Sequence, residues 1–103
     1  MFHSIERWSA LTLSEQLANI GSEVSRALYF SAKGDVMMRD GSITRVLELI
    51  NLSIMLEKKS PHIRELARLK EVICDSVMGG NEYESSRDAL ENYFLPFAIR
   101  ARL

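Results

Sequence analysis

Hydrophobic residues recur along this chain at intervals of three and four positions, and no stretch of useful length alternates as a β-strand does. Two prolines and five glycines divide the periodic sequence into four helical segments. Because the connections between the segments are short, the pattern predicts an all-α fold, an antiparallel four-helix bundle formed by residues 1–103 as a single domain. The three-residue spacing of Ile5, Trp8 and Leu11 predicts a short N-terminal segment that crosses one end of this bundle.

The first helical segment has a recognisable beginning and end. Thr12 and Glu15 have the spacing of a capping box, in which each side chain accepts from the other residue's backbone N–H. Gly34 is predicted to end the helix, because glycine tolerates the left-handed conformation common after a last turn. Between these points one apolar stripe is expected, formed by Leu13, Leu17, Ile20, Val24, Ala27 and Ser31.

The second segment, from Asp35 to about Lys58, is predicted to be one continuous helix through Gly41. Between Val46 and Leu56 it carries apolar residues on nearly every side. A helix of this kind is normally covered on more than one face. The surplus must lie under another subunit, under the N-terminal segment or under the C-terminal aromatic tail. Because the N-terminal segment is too small to cover both sides, the pattern favours contact with another subunit.

The last two segments have clear starting signals. Ser60 and Pro61 are typical of an N-cap and a first helical turn, and Gly79 is predicted to end the third helix. Ser86 is predicted to cap the fourth helix. Pro96 lies inside it, where a missing N–H and a steric clash predict a kink or an early end.

Small residues form a second face of the first segment. Glycine in a helix interior costs about 1 kcal/mol relative to alanine, so a close packing contact is expected to offset it. This contact lies either within the chain or between subunits. Because the second segment has surplus apolar surface, we predict a homodimer or larger homo-oligomer whose interface includes Ala18, Gly21, Ser22, Ser25 and Leu52.

Composition and charge indicate a globular protein without a global preference for nucleic acid. The 103 residues are 47% hydrophobic and 26% charged, with a net charge of −1. One local basic cluster is nevertheless a candidate anion-binding site, namely Lys58, Lys59, Arg64 and Arg68 on the third helix. No aromatic residue interrupts the stretch from 58 to 70, so it lacks a stacking platform for bases.

The residues that usually carry chemistry are few. Cys74 is the only cysteine, lies near a predicted helix C-terminus and is interpreted as a buried structural residue. His3 and His62 lack the spacing of a metal-binding or nuclease motif, and Glu71 and Asp75 are interpreted as part of a solvated face. We therefore predict no metal, no cofactor and no catalytic residue.

Without a leader or a membrane-spanning run in the sequence, a cytoplasmic location is expected.

Several stretches resemble one family of small prokaryotic helical proteins with no established activity. The specific parts are "EQLANIGSEV" and the ending "YFLPFAIRARL", supported by "ERW", "RVLELINLSI" and "RLKEVICD". The resemblance implies a continuous second helix and a helical conformation around Pro96. The function that we predict is that of a non-enzymatic helical interaction or assembly protein. The alternative is an RNA- or DNA-binding accessory protein that uses the basic cluster on the third helix.

Overall fold

A computed structural model describes residues 5–57, 62–78, 90–97 and 99, together with their side chains except those of residues 76–78. These residues are helical apart from short turns, and no strand occurs among them. The predicted all-α class is therefore confirmed. The helices are α1 (Ile5–Ser9), α2 (Leu13–Lys33), α3 (Val36–Leu56) and α4 (His62–Met78), followed by a C-terminal helical segment over residues 90–97.

Both ends of α2 form as the sequence predicts. The Thr12 hydroxyl accepts a hydrogen bond from the Glu15 backbone N–H at 3.1 Å, and the Glu15 carboxylate accepts one from the Thr12 backbone N–H at 2.9 Å. Gly34 follows the helix with a φ of 74°, in the left-handed region that glycine tolerates. These local interactions fix where α2 starts and where the chain turns towards α3.

The helix α3 is continuous through Gly41, as predicted. Its first turn is capped by Asp35, whose carboxylate accepts a hydrogen bond from the Met38 backbone N–H at 3.2 Å. The helix ends at Leu56, slightly before the predicted Lys58.

The helices α2 and α3 form an antiparallel hairpin. Gln16 near the start of α2 contacts Ser53 near the end of α3, while Glu23 in the middle of α2 meets Arg45 in the middle of α3. The Arg45 Nε donates to the Glu23 carboxylate at 3.0 Å, which links the two helices beside their apolar contact. The helix α3 also packs against α1 and α4.

The central position of α3 explains part of its apolar surplus. Leu49, one of the apolar residues between Val46 and Leu56, is buried within the chain, whereas Met55 and Leu56 remain exposed. Packing within the chain therefore accounts for some of the apolar surface for which the sequence predicts a further partner. The core consists of Trp8, Leu17, Ile20, Val24, Ala27, Leu28, Ile43, Val46, Leu49, Ile50, Leu66, Leu69, Ile73, Leu90 and Phe94.

The α4 helix and the C-terminal segment supply the remaining core residues. Leu66, Leu69 and Ile73 are buried, as their spacing predicts. The predicted signals at Ser60, Pro61, Gly79 and Ser86 and the side chain of Val77 lie outside the described residues.

The C-terminal segment continues through a proline. Its helix includes Pro96 and reaches residue 97, so the predicted early end at the proline does not occur. The Pro96 side chain is exposed, and the proline offers no N–H to the carbonyl of Asn92 one turn earlier. The helical conformation that the family resemblance implied is present here.

Candidate functional site

A buried polar cluster joins three helices at the end of the hairpin where α2 begins and α3 ends. Trp8 is 0% exposed, and its indole N–H donates to the Ser53 hydroxyl at 2.8 Å. Ser53 in turn donates to the Gln16 side-chain oxygen at 2.7 Å, and the Gln16 amide donates to the Trp8 carbonyl at 3.1 Å and to the Leu11 carbonyl at 3.2 Å. We call Trp8, Gln16 and Ser53 the closed end. Because these groups satisfy one another, the cluster is structural rather than reactive.

The small-residue face of α2 is partly covered by the C-terminal segment. A Cβ added at Gly21 would lie 2.7 Å from the Cβ and Cγ of Phe94, so this close approach requires glycine. Of the two interpretations left open by the sequence, a contact within the chain is the one observed at Gly21. The aromatic residue that fills the space is Phe94 of the C-terminal segment.

A shallow groove runs between α2 and the C-terminal segment. It has a volume of about 290 Å³ and is lined on one side by Ala18, Gly21, Ser22 and Ser25. The structure thus brings together four of the five residues predicted for an interface. The fifth, Leu52 on α3, does not line the groove and is half-buried against the core. The opposite wall is formed by Glu91, Asn92, Phe94 and Leu95.

The groove is polar along its α2 side. Ser22 and Ser25 are exposed, and the Ser22 hydroxyl donates to the Ala18 carbonyl of its own helix at 3.2 Å. The Ser22 hydroxyl therefore lies at the surface and is hydrogen-bonded within its own helix, as is typical of serine inside a helix. The role of these residues in an interface between subunits stays a prediction.

The other end of the hairpin carries an exposed apolar surface. Tyr29, Val36, Met37 and Met38 lie on either side of Gly34 and are all exposed; Met37 has 84% of its surface accessible. We call these four residues the tip surface. The Lys33 ammonium lies 5.6 Å from the centre of the Tyr29 ring, so a positive charge borders the aromatic residue. The sequence signal was the unbroken "VMM" after the helix cap, where the first turn of a surface helix is usually polar.

The basic cluster is described only in part. Arg64 and Arg68 are exposed one turn apart on α4, whereas Lys58 and Lys59 lie outside the described residues. The same exposed stripe continues with Glu71 and Asp75 towards the end of the helix. The face is therefore mixed in charge, which weakens it as a site for a polyanion.

A second polar contact links α4 to the C-terminal segment. The Tyr93 hydroxyl donates to the Glu65 carboxylate at 2.8 Å, and the His62 Nδ1 lies 3.9 Å from the other Glu65 oxygen. Burial of the phenol and, secondarily, the hydrogen bond to the Glu65 carboxylate raise the pKa of Tyr93 above its ordinary value. Tyr93 therefore stays protonated and acts as a hydrogen-bond donor that holds the segment on α4.

Other candidate chemistry is sparse in the part of the chain that the structure describes. Cys74 is a free thiol and half-buried, rather than buried as predicted. No three His, Cys, Asp or Glu side chains converge there as metal ligands would. Among the same residues, no helix has both the length and the apolar character needed to cross a bilayer.

No protein-family model, curated protein or solved structure matches the chain. The resemblance to a family of small helical proteins stays a prediction.

Proposed function

We propose that this protein is a non-enzymatic helical interaction or assembly protein that acts through protein–protein contacts at the tip surface. The observation that carries the proposal is the exposure of four large apolar side chains at one end of the hairpin: Tyr29, Val36, Met37 and Met38. Contiguous exposed apolar surface commonly marks an interaction site in monomeric proteins.

The chemistry of the tip surface suits a protein partner. Methionine side chains are flexible and polarisable, and they adapt to apolar surfaces of different shape. Charged residues lie next to them along the chain, including Lys33, Asp35 and the ion pair between Arg39 and Asp40 at 3.0 Å. An apolar centre within a polar rim is the usual anatomy of a protein interface.

The proposal extends to the arrangement and the assembly of the chain. We infer that α2, α3, α4 and the C-terminal segment form an antiparallel four-helix bundle with α1 across one end. We also infer a homo-oligomer, in which the exposed residues of the α2 groove, Ser22 and Ser25, lie near the partner. The presence of a single cysteine fits a reducing compartment such as the cytoplasm.

The test is photo-crosslinking in cells from a defined position. A benzophenone amino acid replaces Met37, and a matched variant carries it at Asn51, which is exposed on the same helix and lies about 20 Å from Met37 along the helix axis. We expect a covalent adduct from position 37, with a second copy or with another protein, and none from position 51. No adduct from either position, or equal adducts from both, would contradict the proposal.

The alternative function is binding of RNA or DNA through the basic cluster. It is favoured by the exposure of Arg64 and Arg68 on one face of α4, where neither forms a salt bridge with another described residue. It is opposed by Glu71 and Asp75 on the same face, since carboxylates repel phosphate. The alternative therefore ranks second.

Nucleic-acid binding has a distinct signature. If it occurs, the affinity for a fluorescent single-stranded RNA falls steeply between about 50 and 200 mM salt, because released counterions drive the binding. The double change Arg64→Ala and Arg68→Ala should weaken binding and reduce that salt dependence. Binding that is unaffected by this change would place the site elsewhere, and no binding at low salt would reject the function.

A further inference from the structure

Four charged residues form a single stripe on α4. Arg64, Arg68, Glu71 and Asp75 lie within about 60° of one another around a helix of 3.6 residues per turn. All four are exposed, on the side of the helix opposite the buried residues of α4. We call them the α4 outer face.

Within one chain the order of charge along this face has one favourable spacing, Arg68 to Glu71 at i,i+3, and is otherwise unfavourable. Arg64 and Arg68 form a like-charge pair at i,i+4, and so do Glu71 and Asp75. The bases lie towards the helix N-terminus and the acids towards the C-terminus, which is the opposite of what the helix dipole favours. Among the described residues none of the four forms a salt bridge that would relieve this arrangement.

The same order becomes favourable when two copies meet. The charges are placed symmetrically about the midpoint between positions 69 and 70: Arg64 lies as far before it as Asp75 lies after it. Arg68 and Glu71 have the same relation. We propose that a second copy of this chain docks antiparallel on the α4 outer face, with a two-fold axis at that midpoint. Arg64 then faces the partner's Asp75, and Arg68 faces the partner's Glu71.

Two further exposed residues lie beside the stripe, Ala67 on one side and Val72 on the other. A two-fold axis between antiparallel helices keeps each side on itself, so Ala67 lies on the same side as the partner's Ala67, and Val72 on the same side as the partner's Val72. Each cross-pair of the stripe then forms twice, as an isologous interface requires. A nucleic acid would gain nothing from the acidic half of the face, whereas a second copy uses both halves.

The association is expected to be weak and sensitive to salt. Exposed ion pairs contribute little individually and are screened within about 10 Å at 0.1 M ionic strength. The measurement is therefore sedimentation equilibrium over a wide range of protein concentration, at low and at high salt.

Two variants of equal net charge test the register. The first, Arg64→Glu with Asp75→Arg, reverses one predicted cross-pair and keeps both predicted cross-pairs complementary. The second, Arg64→Glu with Glu71→Arg, creates like charges in every predicted cross-pair. Each variant exchanges one arginine and one acid, so both keep the net charge of −1. Circular dichroism of each variant checks that the exposed changes leave the fold intact.

We expect the wild type and the first variant to dimerise, and the second variant to have a dissociation constant at least about tenfold higher. Equal association of both variants, or a wild type that stays at 11.7 kDa under all conditions, would overturn the inference.

The inference rests on the proposed function only in the premise that the chain works through protein contacts. Crosslinks from position 37 without dimerisation through α4 would reject this inference alone, and dimerisation without those crosslinks would reject only the role of the tip surface.

Discussion

Both ends of the α2–α3 hairpin expose apolar side chains, Met55 and Leu56 at one end and the tip surface at the other, but only the first end also buries a polar cluster. At the closed end, Trp8 is inaccessible to solvent and is held by hydrogen bonds through Ser53 and Gln16. At the tip surface, Met37 and Tyr29 are exposed, although both hairpin ends are built by the same two helices. The short helix α1 accounts for the buried cluster, because it packs on α3 and supplies Trp8, which donates to Ser53.

The two hairpin ends separate side chains that stabilise the fold from side chains that are available to a partner. Buried aromatic surface and satisfied buried hydrogen bonds stabilise the fold at the closed end. An exposed apolar side chain contributes little to the stability of its own chain, so its surface is available to a partner. The predictions below test this division, from the largest expected effect to the smallest.

Replacing Trp8 should have the largest effect on stability. Trp8→Ala removes a fully buried indole and is expected to lower the free energy of unfolding by about 3–5 kcal/mol. Trp8→Phe retains most of the apolar contact but loses the N–H donor to Ser53, so it should cost about 1–3 kcal/mol. Urea denaturation followed by circular dichroism measures both. Equal losses for the two variants would show that the hydrogen bond, and not the buried ring, dominates at the closed end.

The buried hydroxyl at the closed end should matter more than an exposed one. Ser53→Ala leaves the Trp8 indole N–H and the Gln16 oxygen without their shared partner, which should cost about 1–3 kcal/mol. The matched change Ser22→Ala removes only a hydroxyl bonded to its own helix and should stay within about 0.5 kcal/mol. Both are measured by denaturant unfolding. Similar values for the two variants would contradict a buried polar cluster.

Two helix glycines should respond in opposite directions to the same substitution. Gly21→Ala forces a Cβ against Phe94 and should destabilise the protein by about 1–3 kcal/mol through overpacking. Gly41 lies in the half of α3 near the tip, with no neighbouring atom within 4 Å of an added Cβ. Gly41→Ala should therefore stabilise it by up to about 1 kcal/mol through helix propensity. Thermal unfolding compares the two, and a stabilising Gly21→Ala would contradict the contact with the C-terminal segment.

The local signals in the sequence predicted the hairpin well. The capping box at Thr12, the stop at Gly34 and the continuity of α3 depend on residues close in the chain, so a single sequence contains the information. The hydrogen bond between Ser53 and Gln16 joins residues 37 positions apart. Nothing in the local pattern distinguishes Ser53 from an exposed serine, and this cluster could not be predicted.

The candidate site was predictable only in part. The small residues on α2 correctly indicated a close helix contact, but the identity of the covering side chain depends on where the C-terminal segment folds back. Pro96 suggested that this segment would end early, because a proline inside a helix lacks an N–H and clashes with the preceding turn. In the structure its side chain is exposed, and residues 97 and 99 after it are helical. The tip surface was missed because apolar residues in a helix are assigned to the core by default.

The tip surface should be the place where a large side chain matters least to the folded chain. Met37→Ala removes a side chain that is 84% exposed, and its effect on the free energy of unfolding should stay within about 0.5 kcal/mol. The matched change in the same helix, Leu49→Ala, removes a buried side chain and should cost about 2–5 kcal/mol. Denaturant unfolding at low and high protein concentration measures both. A loss at Met37 that appears only at high concentration would identify a second copy as the partner of the tip, since association stabilises the folded form by mass action. A large loss at every concentration would contradict an exposed tip and would mean that Met37 is covered within its own chain.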